Sequence, residues 1–357
     1  MKIAIVGFGF IAQKGHLPTY QSRDDLNLRA VVDPVSARRE EALKLHPGIR
    51  VYETLSDLLE DCPQEIDLVD ICAPNVFHIP AARQALAAGK HVLCEKPLAL
   101  NLAEFEDIKQ LALEKRRLLY PCHNYKFAPS VVHAAKLVRS GAIGEPLYAS
   151  FQVYRVSHAR GVPEWQPHWR RDKAIAGGGI AIDHGVHAIS IAHSLLGGAP
   201  KQVAAHIRNL GNDKDTNLTE NTALICLDWE SVLVQINLTW VGSVRKSSFR
   251  VQGTEGEICI DNDDVILIDK NKNVTPCIVP TDFDDPSHSS WFSAVINDIQ
   301  HHIATENYEP ASLIEAGRVA EIMEKAHQSS TQGGGWLSLK LGIMNYELGK
   351  PREKTKN

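Results

Sequence analysis

The run Lys2-Ile3-Ala4-Ile5-Val6 is apolar and largely β-branched, and it passes without a spacer into Gly7-Phe8-Gly9-Phe10-Ile11-Ala12. No other segment constrains the fold as much. A strand that reads apolar throughout, rather than alternating, belongs in a parallel sheet covered on both faces. The G-x-G-x-x-A spacing then asks for a tight turn and a helix. The first glycine makes the turn, the second lets backbone approach a pyrophosphate, and the small Ala12 lets helix and strand pack closely. Similar runs follow at 28–32, 66–72, 91–95 and 117–121. Between them lie helical patterns at 79–88 and 102–115, the latter opened by Asn101 with Glu104 three residues on, an N-cap signature. This alternation predicts a doubly wound α/β domain over 1–124.

After about residue 125 the rhythm changes. A helical segment at 129–140 leads to longer strand-like runs at 147–156, 222–229, 232–240, 247–253 and 257–261. The turn Trp229-Glu230-Ser231 predicts one hairpin and residues 253–256 another. Consecutive strands without crossover helices mean an antiparallel sheet, so residues 125–357 are expected to form an α+β domain, with a frayed charged tail from Lys350. A chain of 357 residues accommodates two domains of ordinary size, about 100–200 residues each.

A net charge of -5 gives no basic field for nucleic acid or an anionic membrane surface, which leaves small-molecule partners. The seven cysteines are scattered and form no C-x-x-C, as expected of free thiols in a reducing compartment. The apolar stretch before Gly7 is too short for a secretion signal, and no 18 uncharged apolar residues run together. These features predict a soluble, cytoplasmic chain.

Two places carry chemistry. Asp33 closes the second strand run, at the separation from the glycine turn expected of a carboxylate that accepts both hydroxyls of an adenosine ribose. Its charge opposes a 2′-phosphate and so favours NAD. Arg38 and Arg39 on the next helix keep NADP open, because either could reach such a phosphate. Glu95-Lys96-Pro97 ends a strand on the edge where open α/β sheets bind ligands, and a lysine there can stabilise charge developing on a substrate oxygen.

Gly7 to Ala12, Ala73-Pro74-Asn75-Val76-Phe77-His78, the stretch from Ala88 to Pro97, and Gly177-Gly178-Gly179-Ile180-Ala181-Ile182-Asp183-His184-Gly185-Val186-His187 together resemble the motifs of the glucose–fructose oxidoreductase/inositol dehydrogenase (Gfo/Idh/MocA) family. The resemblance runs from residue 1 to about 260. It implies a Rossmann domain followed by a C-terminal domain on an open, mainly antiparallel sheet whose face commonly makes a homodimer or homotetramer. It implies a cis Lys96–Pro97 peptide, Pro74 and Asn75 beside the nicotinamide ribose, and Lys96 in the active site. The cofactor set is then Gly7, Gly9, Phe10, Ile11, Asp33, Arg38, Ala73, Pro74, Asn75, His78, Glu95 and Lys96. Lys126 in Asn124-Tyr125-Lys126-Phe127 stands where the family usually has arginine, and Ser190 where an aspartate often follows the histidine. Both departures are expected on the substrate side.

A helix beginning after Gly179 puts Asp183 and His187 on one face, continued by Ser190 and Ser194 and ended by Gly197-Gly198. The glycines are expected to let its first turn approach the cofactor. Oxidising a secondary alcohol requires loss of a hydride and of a hydroxyl proton, and an imidazole suits the proton transfer. The catalytic assignment is His187 as general base, Lys96 polarising the oxygen, and Asp183 orienting Lys96 or substrate. Tyr125, Trp169, Arg170 and His184 complete the substrate side, with an aromatic face for a ring and a guanidinium for a hydroxyl or phosphate. A metal on Asp183, His184 and His187 is disfavoured, because His184 lies about 100° around the helix from Asp183. The expected activity is an NAD(P)-dependent dehydrogenase or reductase of a sugar, cyclitol or related polyol. The competing readings are an NAD-dependent glycoside hydrolase and a non-catalytic dinucleotide-binding sensor.

Overall fold

The computed structural model describes residues 1–211, 218–229, 231–262, 264–279 and 288–340. The N-terminal part runs β1 (Lys2–Val6), α1 (Leu17–Ser22), β2 (Asn27–Val32), α2 (Ser36–Leu45), β3 (Arg50–Tyr52), α3 (Leu55–Asp61), β4 (Leu68–Ile71), α4 (His78–Ala87), β5 (His91–Cys94), α5 (Leu102–Lys115) and β6 (Leu119–Pro121). All six strands pair in parallel in the order β3-β2-β1-β4-β5-β6, the doubly wound arrangement that the glycine turn and apolar runs demand. The Asn101 carboxamide oxygen accepts from the Glu104 N–H at 2.9 Å and so caps α5.

The rest of the chain runs α6 (Pro129–Arg139), β7 (Pro146–Tyr154), α7 (Lys173–Ala176), α8 (Val186–Leu196), β8 (Gln202–Arg208), β9 (Thr222–Trp229), β10 (Val232–Thr239), β11 (Lys246–Gly253), β12 (Gly256–Asp261), β13 (Asp264–Asp269), β14 (Val274–Cys277), α9 (Ser289–Ala304), α10 (Ala311–Thr331) and β15 (Leu337–Ser338). Nine strands form an open sheet in the order β14-β13-β12-β11-β7-β10-β9-β8-β15, antiparallel except where β7 meets β10. Both expected hairpins are present: Val232 pairs with Trp229, and Gln252 with Glu257. Glu230 and the tail from Lys350 lie outside the described residues.

Alternation organises this sheet. Val232, Val234, Ile236 and Leu238 of β10 are buried toward α6, α8 and α10, while Leu233 on the opposite face is 48% exposed. Each fully buried aliphatic side chain of this kind contributes about 1.5–3 kcal/mol. The run Lys173–Leu196 is long and apolar enough to cross a membrane on length and composition alone, yet most of it is buried inside the protein.

The two C-terminal helices join the sheets. Phe292, Val295, Ile296 and Ile299 of α9 pack on the parallel sheet with Ile3, Ile5 and Tyr20. Leu313, Ala316 and Ala320 of α10 enter the core on that sheet's other face, while Val319, Ile322 and Met323 enter the core of the antiparallel sheet. One helix thus fixes the cleft between the two layers.

Candidate active site

A cleft of about 870 Å³ lies along the carboxyl ends of the parallel strands, with Gly7, Gly9 and Asp33 at one end and Lys96, Asp183 and His187 at the other. The glycine turn is built for close approach. Gly7 has φ +88°, and a Cβ there would lie 2.8 Å from the Ala73 nitrogen, whereas a Cβ on Gly9 would meet nothing within 4 Å because it opens onto the cleft. The turn enters a wide π-helical segment, Ile11–His16, with neither a side-chain cap nor an acid in its first turn. Its leading N–H groups therefore remain available to an anion.

The Asp33 carboxylate accepts the Phe8 N–H at 2.7 Å on one oxygen and the Val35 N–H at 2.9 Å on the other, and burial raises its pKa. It ties the glycine turn to the end of β2 and lines the cleft, so it is no solvent-facing aspartate. Arg38 also lines the cleft but pairs with Glu164 at 2.8 Å, while Arg39 donates to the Asp33 carbonyl at 2.7 Å. Glu164 belongs to the segment after β7, which crosses over the cleft and sets Trp165 edge-on to Phe77, centroids 6.2 Å apart. Phe10, Ile11, Ala73, Pro74 and Asn75 line the same wall. This cradle fits an NAD molecule: Gly9 and the open helical turn would hold the pyrophosphate, and Asp33 the ribose hydroxyls.

At the other end the Lys96–Pro97 peptide is cis. His78 is buried and bridges the Ala73 and Pro97 carbonyls, both at 2.7 Å, so it joins the two loops that flank the cleft. Asn75 donates to the Ala176 carbonyl at 2.8 Å. The Lys96 ammonium donates to the Asp183 carbonyl at 2.7 Å and to its carboxylate at 3.2 Å. Arg170 lies 3.5 Å from the same carboxylate oxygen, and His184 3.7 Å from the other. Burial alone would raise the Asp183 pKa, but Lys96, Arg170 and His184 outweigh it and hold the carboxyl well below its ordinary value. A metal would have to displace these two cations.

His187 lies against Tyr125, ring centroids 4.0 Å apart, and its Nδ1 has no hydrogen-bond partner among the described residues. Burial, with Lys96 and His184 nearby, pushes its pKa well below 6.5; burial takes His184 down to about 3. Both rings are neutral at pH 7. His187 does not lie on a solvated helix face, since nearly all of α8 is buried. Trp169 lines the cleft with the Arg170 guanidinium 4.4 Å over its ring.

Two expectations are corrected. The helix that carries Asp183 and His187 begins just after Gly179 as expected, its first turn being a π turn, Ala181–Gly185, that leads into α8. The glycines before it make room for protein rather than for cofactor: a Cβ on Gly179 would sit 1.8 Å from the Glu220 carbonyl oxygen, which accepts the Ile180 N–H at 3.1 Å. Lys126 and Ser190 do not line the cleft. Both turn to Glu315 on α10: the Ser190 hydroxyl donates to it, His123 bonds it at 3.0 Å, and the Lys126 ammonium lies 4.0 Å away. Burial would raise the Glu315 pKa, but Lys126 and His123 hold it well below the carboxylate range. The motifs also missed Arg155, Arg245 and His288, which line the cleft. Arg155 is buried at the end of β7, where burial and Arg245 lower its pKa to about 10. A cation in an apolar strand end was the available signal.

Residues 1–123 match a family model described as an oxidoreductase family with an NAD-binding Rossmann fold, and residues 131–259 match the GFO/IDH/MocA C-terminal domain. The chain is 31% identical over 216 residues to the D-glucoside 3-dehydrogenase of Escherichia coli (strain K12), a match spanning 60% of each chain. It is 30% identical over 255 residues to an uncharacterized oxidoreductase of the same organism, YhhX, covering 71% of this chain and 69% of that one. Among solved structures, an aldose-aldose oxidoreductase from Caulobacter crescentus complexed with glycerol superposes with a TM-score of 0.82 at 23% identity, covering 95% and 99% of the two chains. With the glycine turn, Asp33, Lys96-Pro97 and the Asp183/His187 helix converging on one cleft, the chain belongs to the Gfo/Idh/MocA family of NAD-binding oxidoreductases.

Proposed function

We propose that this protein is an NAD-dependent dehydrogenase acting on a secondary alcohol of a sugar, cyclitol or related polyol, or on the matching ketone in reverse. One observation carries the reading: Lys96, Asp183 and a neutral His187 share the cleft that the dinucleotide cradle opens into. The D-glucoside 3-dehydrogenase relative supports the substrate class. Bound NAD supplies hydride acceptance or donation. The protein supplies the proton chemistry. Asp183 grips the Lys96 ammonium with two oxygens and leaves its remaining proton free to polarise a substrate oxygen. Neutral His187 takes the hydroxyl proton. Arg170, braced on Trp169 and Asp183, offers donors to neighbouring hydroxyls.

NAD is preferred over NADP because Asp33 closes the ribose end and Arg38 is engaged by Glu164. Assaying a panel of sugars and inositols by NADH absorbance with both cofactors tests the reading. Turnover with NAD on a member of that panel is expected. Glycoside cleavage without net NADH would establish the hydrolase alternative, and cofactor binding without any turnover the sensor.

The outward face of the nine-stranded sheet, with Leu233 exposed beside Tyr148, supports a homodimer or homotetramer built on it. Sedimentation is expected to show an oligomer at micromolar concentration, and a monomer there would remove this assembly.

A further inference from the structure

Behind the cleft lies a buried charged array that the catalytic assignment does not use. Asp70 sits mid-strand in β4, between β1 and β5, and is 0% exposed. Its carboxylate bonds His16 Nδ1 at 2.8 Å and accepts the Tyr20 hydroxyl at 2.8 Å. The other nitrogen of His16 lies 3.2 Å from the Glu95 carboxylate, and Phe292 of α9 stacks on the ring at 3.8 Å. Cys72 closes the remaining side, its sulfur 3.3 Å from His16 Nδ1. Glu95 reaches the cleft, where its second oxygen accepts the Lys96 N–H at 3.1 Å.

The row is therefore carboxylate, imidazole, carboxylate. Two acidic partners at ion-pair distance, one near each ring nitrogen, fit an imidazolium that hydrogen-bonds Asp70 through Nδ1 and faces Glu95 across 3.2 Å through Nε2. Burial works against that form, but Asp70 and Cys72 together outweigh it and the His16 pKa stands well above 6.5. Burial would likewise raise the Glu95 pKa, yet His16 and Lys96 hold it down. Two carboxylates against one imidazolium leave one negative charge, and the Lys96 ammonium is shared with Asp183, which Arg170 also approaches. That charge faces the cleft at Glu95, one residue from Lys96.

A metal is a poorer occupant of this cluster. The His16–Asp70 separation of 2.8 Å is that of a charge-assisted hydrogen bond, and the groups are sealed under Phe292.

We propose that Asp70 and His16 hold Glu95 as a fixed anion at the nicotinamide end of the cleft, where it favours the cationic oxidised ring over the neutral reduced one. His16 and Asp70 are positioning residues, and Glu95 determines which redox form of the cofactor the site prefers. The inference rests on the reading of the Lys96 end as the nicotinamide end, but its test needs no substrate.

The experiment is calorimetric titration of wild type and Glu95→Gln with NAD⁺, NADH and ADP-ribose. The isosteric change should raise the ratio of the NAD⁺ to the NADH dissociation constant roughly tenfold, a low-end effect for a unit charge at a few ångströms. ADP-ribose, which lacks the nicotinamide, should bind unchanged. His16→Gln should shift the ratio in the same direction but by less, since Glu95 then loses the imidazolium 3.2 Å away that holds it in place and keeps its charge. Should His16→Gln fail to fold, the Glu95→Gln ratio decides alone. Equal changes for NAD⁺ and NADH, or none, would overturn the proposal and leave the dehydrogenase reading intact, whereas absent turnover on every sugar with a shifted ratio would do the reverse.

Discussion

His187 is poised by its surroundings rather than by its intrinsic basicity. An isolated imidazole near pKa 6.5 would be half charged at mildly acidic pH, but burial and the Lys96 ammonium keep this ring neutral far below that. The base form is therefore present across the whole neutral range, and the acid limb of alcohol oxidation should fall below the usual histidine range. His187→Ala should leave NAD affinity nearly intact, because this residue stands at the Lys96 end and not at the glycine turn. Turnover should drop by roughly 10²–10⁴. Lys96→Ala should slow it too, and the double variant should lose less than the product of the two single losses, since both act on one oxygen. Steady-state kinetics of the three variants checks this; a His187→Ala enzyme within about threefold of wild type would move the base to His184 or Tyr125.

At the scale of elements, Gly179 shows how a correct motif can hide its own cause. Its missing side chain admits the Glu220 carbonyl, so the start of the helix that carries Asp183 and His187 is bonded edge to edge with the chain leading into β9. Gly179→Ala places a methyl 1.8 Å from that oxygen and must move backbone. It should cost roughly 3 kcal/mol or more, whereas Gly335→Ala, which meets nothing within 4 Å, should be nearly silent. Paired thermal melts decide it, and equal melting temperatures would remove the close-approach argument. What was legible in the sequence follows the same line. Local patterns announced the glycine turn, the Asn101 cap and the strands of both hairpins, because neighbours in sequence supply the signal. β3 is three half-buried residues, too short for any period to show, and the polar end of β8 blurs its alternation. The meeting of Lys126 and Ser190 at Glu315 could not be read at all, since 125 residues separate Ser190 from its partner and only α10 docking brings them together.

Over the described residues, the histidines whose titration is shifted divide into two groups with opposite linkage to folding. Burial lowers His91 and His193 to about 4 and His184 to about 3, and takes His78, His158, His187 and His302 down as well. In the unfolded chain these rings titrate near 6.5, so between that value and their folded values the unfolded state binds more protons and stability falls as pH drops. His16 and His327 run the other way. Burial opposes their charge, but Asp70 and Glu220 respectively raise them above 6.5. Their contribution is fully present below 6.5 and is lost as pH rises through their folded values. Stability should therefore peak near neutrality, with an acid limb from the depressed rings and an alkaline limb from His16 and His327. Asp183 and Glu315, both held below the ordinary carboxylate range, add a further loss only below about pH 4. The melting temperature should fall by roughly 5–10 °C between pH 7 and pH 5. His16→Gln should flatten the alkaline limb while leaving the slope of the acid limb in place. Calorimetric melts at half-unit pH steps on both proteins measure this directly, and a wild-type melting temperature that is level or rising from pH 7 to 5 would mean that these histidines are charged in the folded protein.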